Sequence, residues 1–517
     1  MQQKFKAIRV VLALIFFLAI LVSFSDIKGN IPSKFHSAFL YLQFGPSLIK
    51  LFTAEAALAF GFLVVIVLTI IAGRVYCSAI CPLGILQDIV IYLRRKFSKN
   101  QRLRFKKALN ILRYSILAVT ITSFLVTGVL FLNLLDPYAV FGRMASHIYQ
   151  PVLLFLNNTI AGVSNTIGFN LLESRPVHWV SLSFAGGMLF LVLSMSFFSG
   201  RLYCNSVCPV GAFLGILSKF SIFKVKIKES TCSSCGKCQA VCKANCINIK
   251  TLSVDESICV SCYNCISACD DDSISYMRSK PILKPATVKN VDSKRRFMLA
   301  ATATYAAVKA IPTFARDDEH KGSGEKHACY FSKGPISPPG SLSVEHMKDK
   351  CVACHLCVAV CPTKVLQPTF LEYGLSGMNV PQMDYGVNFC NFECRKCGEV
   401  CPTGAIIKLP KEEKKQTQIG QVVLRKKLCI VQSEDTACGS CSEHCPTQAV
   451  KMVPYENGIP GPVIDTTICI GCGACEYACP VTDPHPAIFV APNENHVMAE
   501  LPEEEAVEFE ETEEFPF

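Results

Sequence analysis

Cysteine carries the chemistry of this chain. Cys232/Cys235/Cys238/Cys242 and Cys259/Cys262/Cys265/Cys269 are both spaced C-x2-C-x2-C-x3-C. Three thiolates a tight turn apart can wrap an iron–sulfur cube, while the fourth, beyond the wider gap, faces a second cube. The spacing therefore predicts two [4Fe-4S] clusters with exchanged ligands. Cys232, Cys235, Cys238 and Cys269 are expected on one, and Cys259, Cys262, Cys265 and Cys242 on the other. Lys243 and Asp270 follow the fourth cysteines where proline is usual, and Cys246 is an alternative to Cys242. A zinc site or a disulfide scaffold explains the pattern poorly, because zinc is usually held by isolated pairs and not by paired quartets.

Further along stand four more runs: Cys351/Cys354/Cys357/Cys361, Cys390/Cys394/Cys397/Cys401, Cys429/Cys438/Cys441/Cys445 and Cys469/Cys472/Cys475/Cys479. Each ends in Cys-Pro. They predict four further [4Fe-4S] clusters, six in all, in a second ferredoxin-like domain. By the same ligand exchange, the outer runs are expected to pair, with Cys361 completing the fourth run's cluster and Cys479 the first's. The inner runs pair likewise through Cys401 and Cys445. His355 and His444 read as solvated loop residues, and Cys329 as a leftover.

A third constellation is a repeat. Gly73-Arg74-Val75-Tyr76-Cys77-Ser78-Ala79-Ile80-Cys81-Pro82-Leu83-Gly84 recurs as Gly200-Arg201-Leu202-Tyr203-Cys204-Asn205-Ser206-Val207-Cys208-Pro209-Val210-Gly211. If helical, each C-x3-C-P pair lies at i and i+4 on one face. Cys77, Cys81, Cys204 and Cys208 are then candidates for a further cluster, for redox-active disulfides, or for apolar packing. Arg74 and Arg201 read as anchors at the membrane rim.

These motifs need scaffolding. A chain of 517 residues, half of them apolar, is too long for one domain and too oily for a purely soluble protein. Four membrane spans are expected, at about 7–24, 56–72, 114–135 and 179–198. The basic loop from Arg94 to Lys107 places the inner ends of spans two and three, and with them both ends of this unit, in the cytoplasm. This rule accounts for the net charge of +10 without nucleic acid. Apolar segments at 35–52 and 147–169 are too short or too polar to span and could shape a quinone entrance. Ser293-Lys294-Arg295-Arg296-Phe297-Met298-Leu299, followed by an Ala-rich stretch, reads as a twin-arginine export signal. Clusters assemble in the cytoplasm, so a cluster-bearing domain placed outside must cross already folded. An amphipathic linker on the inner surface is the alternative. Nine glutamates between Glu500 and Glu514 make an acidic, solubilising tail.

The domain reading is a four-helix membrane bundle (1–220), an α+β ferredoxin-like 2[4Fe-4S] domain (221–285), a linker carrying the twin-arginine-like signal or a fifth membrane segment (286–325), the second ferredoxin-like domain with four clusters (326–495) and the acidic tail (496–517). The two C-x3-C-P motifs with the first ferredoxin pair resemble the NapH and MauN families of membrane ferredoxins. The twin-arginine start, Ser337-Pro338-Pro339-Gly340 and Gly398-Glu399-Val400-Cys401-Pro402 resemble the exported NapG and MauM polyferredoxins. The resemblance implies the two joined in one chain, exchanging electrons between the quinol pool and a periplasmic redox partner. That partner is not specified, and nothing in the chain would bind nitrate. The alternative is a reductant that keeps a partner metalloenzyme or its thiols reduced during maturation. No Rossmann, P-loop or nucleophile constellation argues for a nicotinamide, nucleotide or hydrolytic function, and the chain reads as an electron-transfer component rather than a stand-alone enzyme, with quinol dehydrogenase as the enzymatic alternative.

Overall fold

The chain is described here by a computed structural model over residues 2–26, 29–51, 60–97, 105–106, 108–126, 128–163, 177–278, 334–455, 458–482 and 486–500. The twin-arginine segment and Cys329 lie outside these residues, as does the acidic tail beyond Glu500.

Beyond Arg9, helix α1 (Gln2–Phe24) is apolar apart from Ser23, and Ile8, Val11, Leu14, Ile15, Leu18 and Val22 are exposed along it. Exposed apolar surface of this kind suits a bilayer. Two described stretches, Lys4–Phe24 and Trp179–Ser199, are long and apolar enough to cross a bilayer. The other two expected spans are shorter. The second is described as α4 (Gly61–Ala72), after the short α2 (Ser33–Leu40) and α3 (Phe44–Lys50). The third is divided, contrary to the unbroken 114–135 expected: α7 (Asn110–Val126) ends before Gly128, whose φ of 81° is left-handed, and α8 (Leu130–Leu135) starts anew. Glycine adopts that conformation at no Cβ cost and so stops the helix.

The repeat is built the same way twice. Gly73 caps α4 with a φ of 75°, a one-turn α5 (Tyr76–Ala79) carries the first cysteine, and α6 (Pro82–Phe97) starts at the proline. After α9 (Pro137–Met144), a π-helical turn (Ala145–Tyr149) and α10 (Gln150–Val163), Gly200 caps α11 (Trp179–Ser199) with a φ of 67°. Then α12 (Leu202–Ser206) carries Cys204, and α13 (Pro209–Ser218) starts at Pro209.

The first ferredoxin-like unit pairs Phe223–Ile227 with Ile274–Arg278 and Ile247–Asn248 with Ser253–Val254, both antiparallel, around one-turn helices Lys237–Ala240 and Asn264–Ser267. Among the described residues the second unit has three antiparallel strand pairs. Its longest joins Thr417–Leu424 to Ile488–Met498, with a register shift between Pro492 and Val497.

The two units meet opposite ends of α1. Near its start, the Phe5 ring lies 5.9 Å from the rings of Tyr263 and Tyr276 in the first unit. Near its end, Phe24 packs where Gly142 of α9 meets Cys354 of the second. The 23 residues between Gln2 and Phe24 rise about 34 Å at 1.5 Å each. The bundle grips the second unit through backbone oxygens: Ser146 Oγ donates to the His355 carbonyl (2.9 Å), Gln150 Nε2 to Ala359 (2.9 Å) and Asn133 Nδ2 to Met378 (2.7 Å).

A Cβ on Gly142 would stand 2.3 Å from the Cys354 carbonyl oxygen, whereas one on Gly186 meets nothing within 4 Å. Gly142→Ala is therefore expected to weaken this junction by about 1–3 kcal/mol, the usual overpacking cost. Hydrogen exchange should rise across Ser337–Val360, and Gly186→Ala should leave it unchanged.

Candidate iron–sulfur and thiol centres

Four of the six ferredoxin-type runs share a backbone device. The residues immediately before and after the second cysteine are left-handed: Ser234 and Gly236, Ser261 and Tyr263, Ala353 and His355, Gly471 and Gly473. Left-handed non-glycine residues are costly and tend to persist where function requires them. Here they curl each loop so that three cysteines can converge on one point, a concave arrangement that suits an iron–sulfur cube.

The fourth cysteines settle the pairing. One cavity is lined by Cys361 with Cys390, Cys394 and Cys397, and another by Cys479 with Cys429, Cys438 and Cys441. Cys401 is a charge neighbour of Cys351, Cys354 and Cys357, and Cys445 of Cys469, Cys472 and Cys475. Each fourth cysteine therefore stands with the adjacent run, first with second and third with fourth, which corrects the expected outer and inner pairing. Pairing the first run with the fourth would close loops of more than a hundred residues, whereas pairing it with the second closes shorter ones.

In the first unit Cys238 neighbours Cys232, Cys235 and Cys269, the expected set. The other cavity is lined by Cys259, Cys262 and Cys265 with both Cys242 and Cys246, whose sulfurs lie 3.4 Å apart. Lys243, in the place usual for proline, reaches Asp88 of α6 at 3.0 Å, while Asp270 pairs with Lys237 at the surface.

The C-x3-C-P cysteines are all buried within the bundle, between the two units. They do not share one helical face, because the proline forces the second cysteine of each motif out of the helix. Cys208 is extended and caps α13, its sulfur accepting the Gly211 N–H at 3.3 Å; Cys81 accepts the Gly84 N–H in the same way. Arg74 and Arg201 are fully buried and crossed, so neither is a rim anchor. Arg201 donates to the Cys77 carbonyl (2.5 Å) and Arg74 to the Cys204 carbonyl (3.1 Å). A Cβ on Gly84 or Gly211 would stand 2.2 Å from those same two carbonyl oxygens, so the final glycine of each motif permits the approach.

Sequence reasoning missed two features. Asp88 gathers Arg9 (2.9 Å), Arg201 (2.7 Å) and Lys243 (3.0 Å), tying α1, both halves of the repeat and the first unit together. A lone acid in the otherwise apolar and basic α6 was the available signal. His355 is buried, unlike the exposed His444. Its Nε2 lies 2.7 Å from the Asn379 carbonyl and so carries the proton, leaving Nδ1 to accept from His147 Nε2 at 2.7 Å. Nothing in the sequence pairs residues so distant.

Comparison with known proteins agrees with the chemistry. Residues 56–100 and 181–228 match a family model described as a 4Fe-4S binding domain, residues 344–367 another of that description, and residues 436–482 a 4Fe-4S dicluster domain. The chain is 27% identical over 192 residues (37% of this chain, 55% of the relative) to the methylamine utilization ferredoxin-type protein MauN of Paracoccus denitrificans. It is 25% identical over 229 residues (42% and 65%) to the ferredoxin-type protein NapH of Haemophilus influenzae. With the ferredoxin-type protein NapF of Escherichia coli it shares 29% over 150 residues (28% and 81%). The chain spans about half the length of the MauN relatives it matches. Its likeness is thus to ferredoxin-type iron–sulfur proteins of the NapH and MauN kind.

Proposed function

We propose that this chain is a membrane-anchored relay that passes electrons between the quinol pool and a redox partner outside the cytoplasmic membrane. The observation that carries this reading is the attachment of two cysteine-run units to opposite ends of α1. On this reading the bundle crosses the bilayer four times, the basic segment 94–107 faces the cytoplasm with the first unit, and the second unit lies outside. The second half is then a polyferredoxin of the NapG or MauM type joined to a NapH or MauN type membrane unit.

Bound [4Fe-4S] clusters supply one-electron carriers. The chain's own residues set where those carriers sit. Ser146, Gln150 and Asn133 fix the second unit to the bundle, while Arg74, Arg113 and Tyr276 fix the first through the carbonyls of Ser257 and Ala72. A cavity of about 300 Å³ between α2, α3 and the segment 398–408 is lined by Ser33, Ser37, Tyr41, Lys50 and Cys401. Its size and its mixture of apolar wall and hydroxyls suit a quinol headgroup beside a cluster ligand, which supports the quinol reading.

Sidedness is the test. A protease-cleavable tag after Phe517 should be digested in intact spheroplasts and protected once Arg295 and Arg296 are both changed to Lys. Protection in the unaltered chain would put every cluster in the cytoplasm and overturn the transmembrane relay.

A further inference from the structure

Buried positive charge is distributed unevenly around the second unit. Among the described residues from Gly334 to Glu500, the buried Lys and Arg side chains are Lys364 and Lys414. Both stand with the first two runs, and the bundle adds another buried cation there, Arg143 of α9. Beyond Lys414 no described Lys or Arg is buried, so the third and fourth runs lack such a charge. We infer that Arg143 and Lys414 raise the reduction potentials of the clusters held by the first and second runs above those of the third and fourth. This rests on the cluster-binding part of the relay reading and deepens it, because it names where electrons from quinol enter.

Arg143 reaches out of the bundle to the first run. Its Nη1 donates to the Ala353 carbonyl (3.3 Å) and to the carbonyl (3.0 Å) and Oδ1 (2.9 Å) of Asn133, and its Nη2 to the Leu134 carbonyl (3.2 Å). Its Nε has no acceptor among the described residues. Ala353 stands between Cys351 and Cys354, and its own N–H donates to Cys351 Sγ at 3.3 Å. One residue thus links the guanidinium to a ligand sulfur. Cys351 and Cys354 are both charge neighbours of Arg143. The nearby Asp136 is turned to the Tyr138 and Ala139 N–H groups (3.0 and 2.9 Å), and among the described residues no carboxylate pairs with Arg143.

Lys414 serves the second run in the same way. Its Nζ donates to the carbonyls of Asn391 and Phe392, both at 2.7 Å, and these two residues lie between Cys390 and Cys394. Cys390, Cys394 and Cys397 are its charge neighbours. Lys411 and Lys415 of the same helix pair with Glu393, whereas Lys414 pairs with no described carboxylate. At the fourth run the donor is a neutral amide: Gln418 Nε2 donates to the carbonyls of Thr466 (2.9 Å) and Cys469. The charged neighbour of Cys469 outside the cysteines is an acid, Asp465.

A guanidinium stays protonated, and burying one without an anion is strongly unfavourable. Thiolates around a cluster supply that anion. Reduction adds one electron to a cluster, moves no proton and deepens its negative charge. A buried cation therefore favours the reduced form, and the low-dielectric interior screens the attraction little. Ferredoxin-type clusters ordinarily lie at low potential, while quinol is a mild reductant, so a cluster that quinol reduces must be raised. Cys401, the fourth cysteine at the Arg143 site, lines the cavity that suits a quinol headgroup.

The test is a potentiometric titration of the full-length protein, purified anaerobically, reduced stepwise with dithionite and read by low-temperature EPR. Arg143→Met should lower the equilibrium constant for reducing one component by about tenfold or more, which is about 59 mV for each tenfold in a one-electron couple. Arg143→Lys should restore most of the shift. Lys414→Met should move a second component and Lys414→Arg restore it. Cys401→Ser and Cys361→Ser identify the two components by removing them. Met variants that keep their iron and titrate like the unaltered chain overturn the inference. Charge-keeping variants that shift as far as the Met variants also overturn it, since packing and not charge would then be the cause. Should the Met variants lose their iron, the unaltered chain decides: its components should separate by about tenfold or more in equilibrium constant, and a titration in one common step overturns the inference. An unaltered protein without iron–sulfur signals overturns the relay reading itself.

Discussion

Asp88→Asn is expected to destabilise the junction between the bundle and the first ferredoxin-like unit by about 3–5 kcal/mol, the range for breaking a buried ion pair by removing one partner. The carboxylate accepts from Arg9 Nη1 (2.9 Å) and Arg201 Nε (2.8 Å) and lies 3.0 Å from Lys243 Nζ. Asparagine would leave three buried cations without their shared anion. Lys243 belongs to the first unit and Arg9 to α1, so the loss should appear as protease cleavage within Phe223–Arg278 at denaturant concentrations the unaltered chain withstands. Asp270→Asn is the control. Its pairing with Lys237 is exposed, and exposed pairs contribute little. The pH dependence follows from the same contacts. Burial alone would raise the Asp88 carboxyl, but Arg201, Lys243 and Arg9 outweigh it and hold the group at about 2. A depressed carboxyl contributes fully above its unfolded value, near about 3.9. The contribution should therefore fade as pH drops from about 4 towards 2, and Asp88→Asn should abolish that part of the acid sensitivity. Unchanged cleavage in Asp88→Asn would mean that the unit is held by the Arg74 and Arg113 contacts to Ser257 instead.

What the sequence made legible was local. Cysteine spacing depends on one loop at a time, and the left-handed residues flanking Cys235, Cys262, Cys354 and Cys472 are the local geometry that such spacing demands. The repeat was legible for the same reason, with Gly73 and Gly200 as helix caps and Pro82 and Pro209 as helix starts. Contacts between halves of the chain were not. Periodicity marks a face but not its partner, so Arg74 and Arg201 looked like surface anchors until the halves were crossed. His355 looked solvated until His147 was brought to it from 208 residues away. Gly128 was overlooked because the apolar run continues past it, and a single left-handed glycine divides a helix without changing mean hydropathy.

The swapped ligands give the other large effect. Cys361→Ser is expected to release the cluster-binding set Cys390, Cys394 and Cys397, and Cys401→Ser the set Cys351, Cys354 and Cys357. The cause is the packing of neighbouring runs. The helix Leu356–Val360 contacts Lys396–Val400, and Ser440–Glu443 contacts Ala474–Ala478, so each fourth cysteine is delivered into the adjacent run's loop. The hairpin of Leu366–Pro368 and Pro381–Met383 folds the first run back on the second. Each substitution should cost one cluster, about four iron atoms, and expose three thiols to alkylation. Mass-spectrometric mapping of the alkylated cysteines then reads the pairing directly. Labelling of Cys469, Cys472 and Cys475 in Cys361→Ser would restore the nested arrangement. The adjacent arrangement also brings two loops into series: the Cys390 N–H donates to the Cys472 carbonyl at 2.9 Å. The second and fourth runs are thus joined by one hydrogen bond, and on the relay reading loss of the Cys361 cluster should isolate the clusters beyond it.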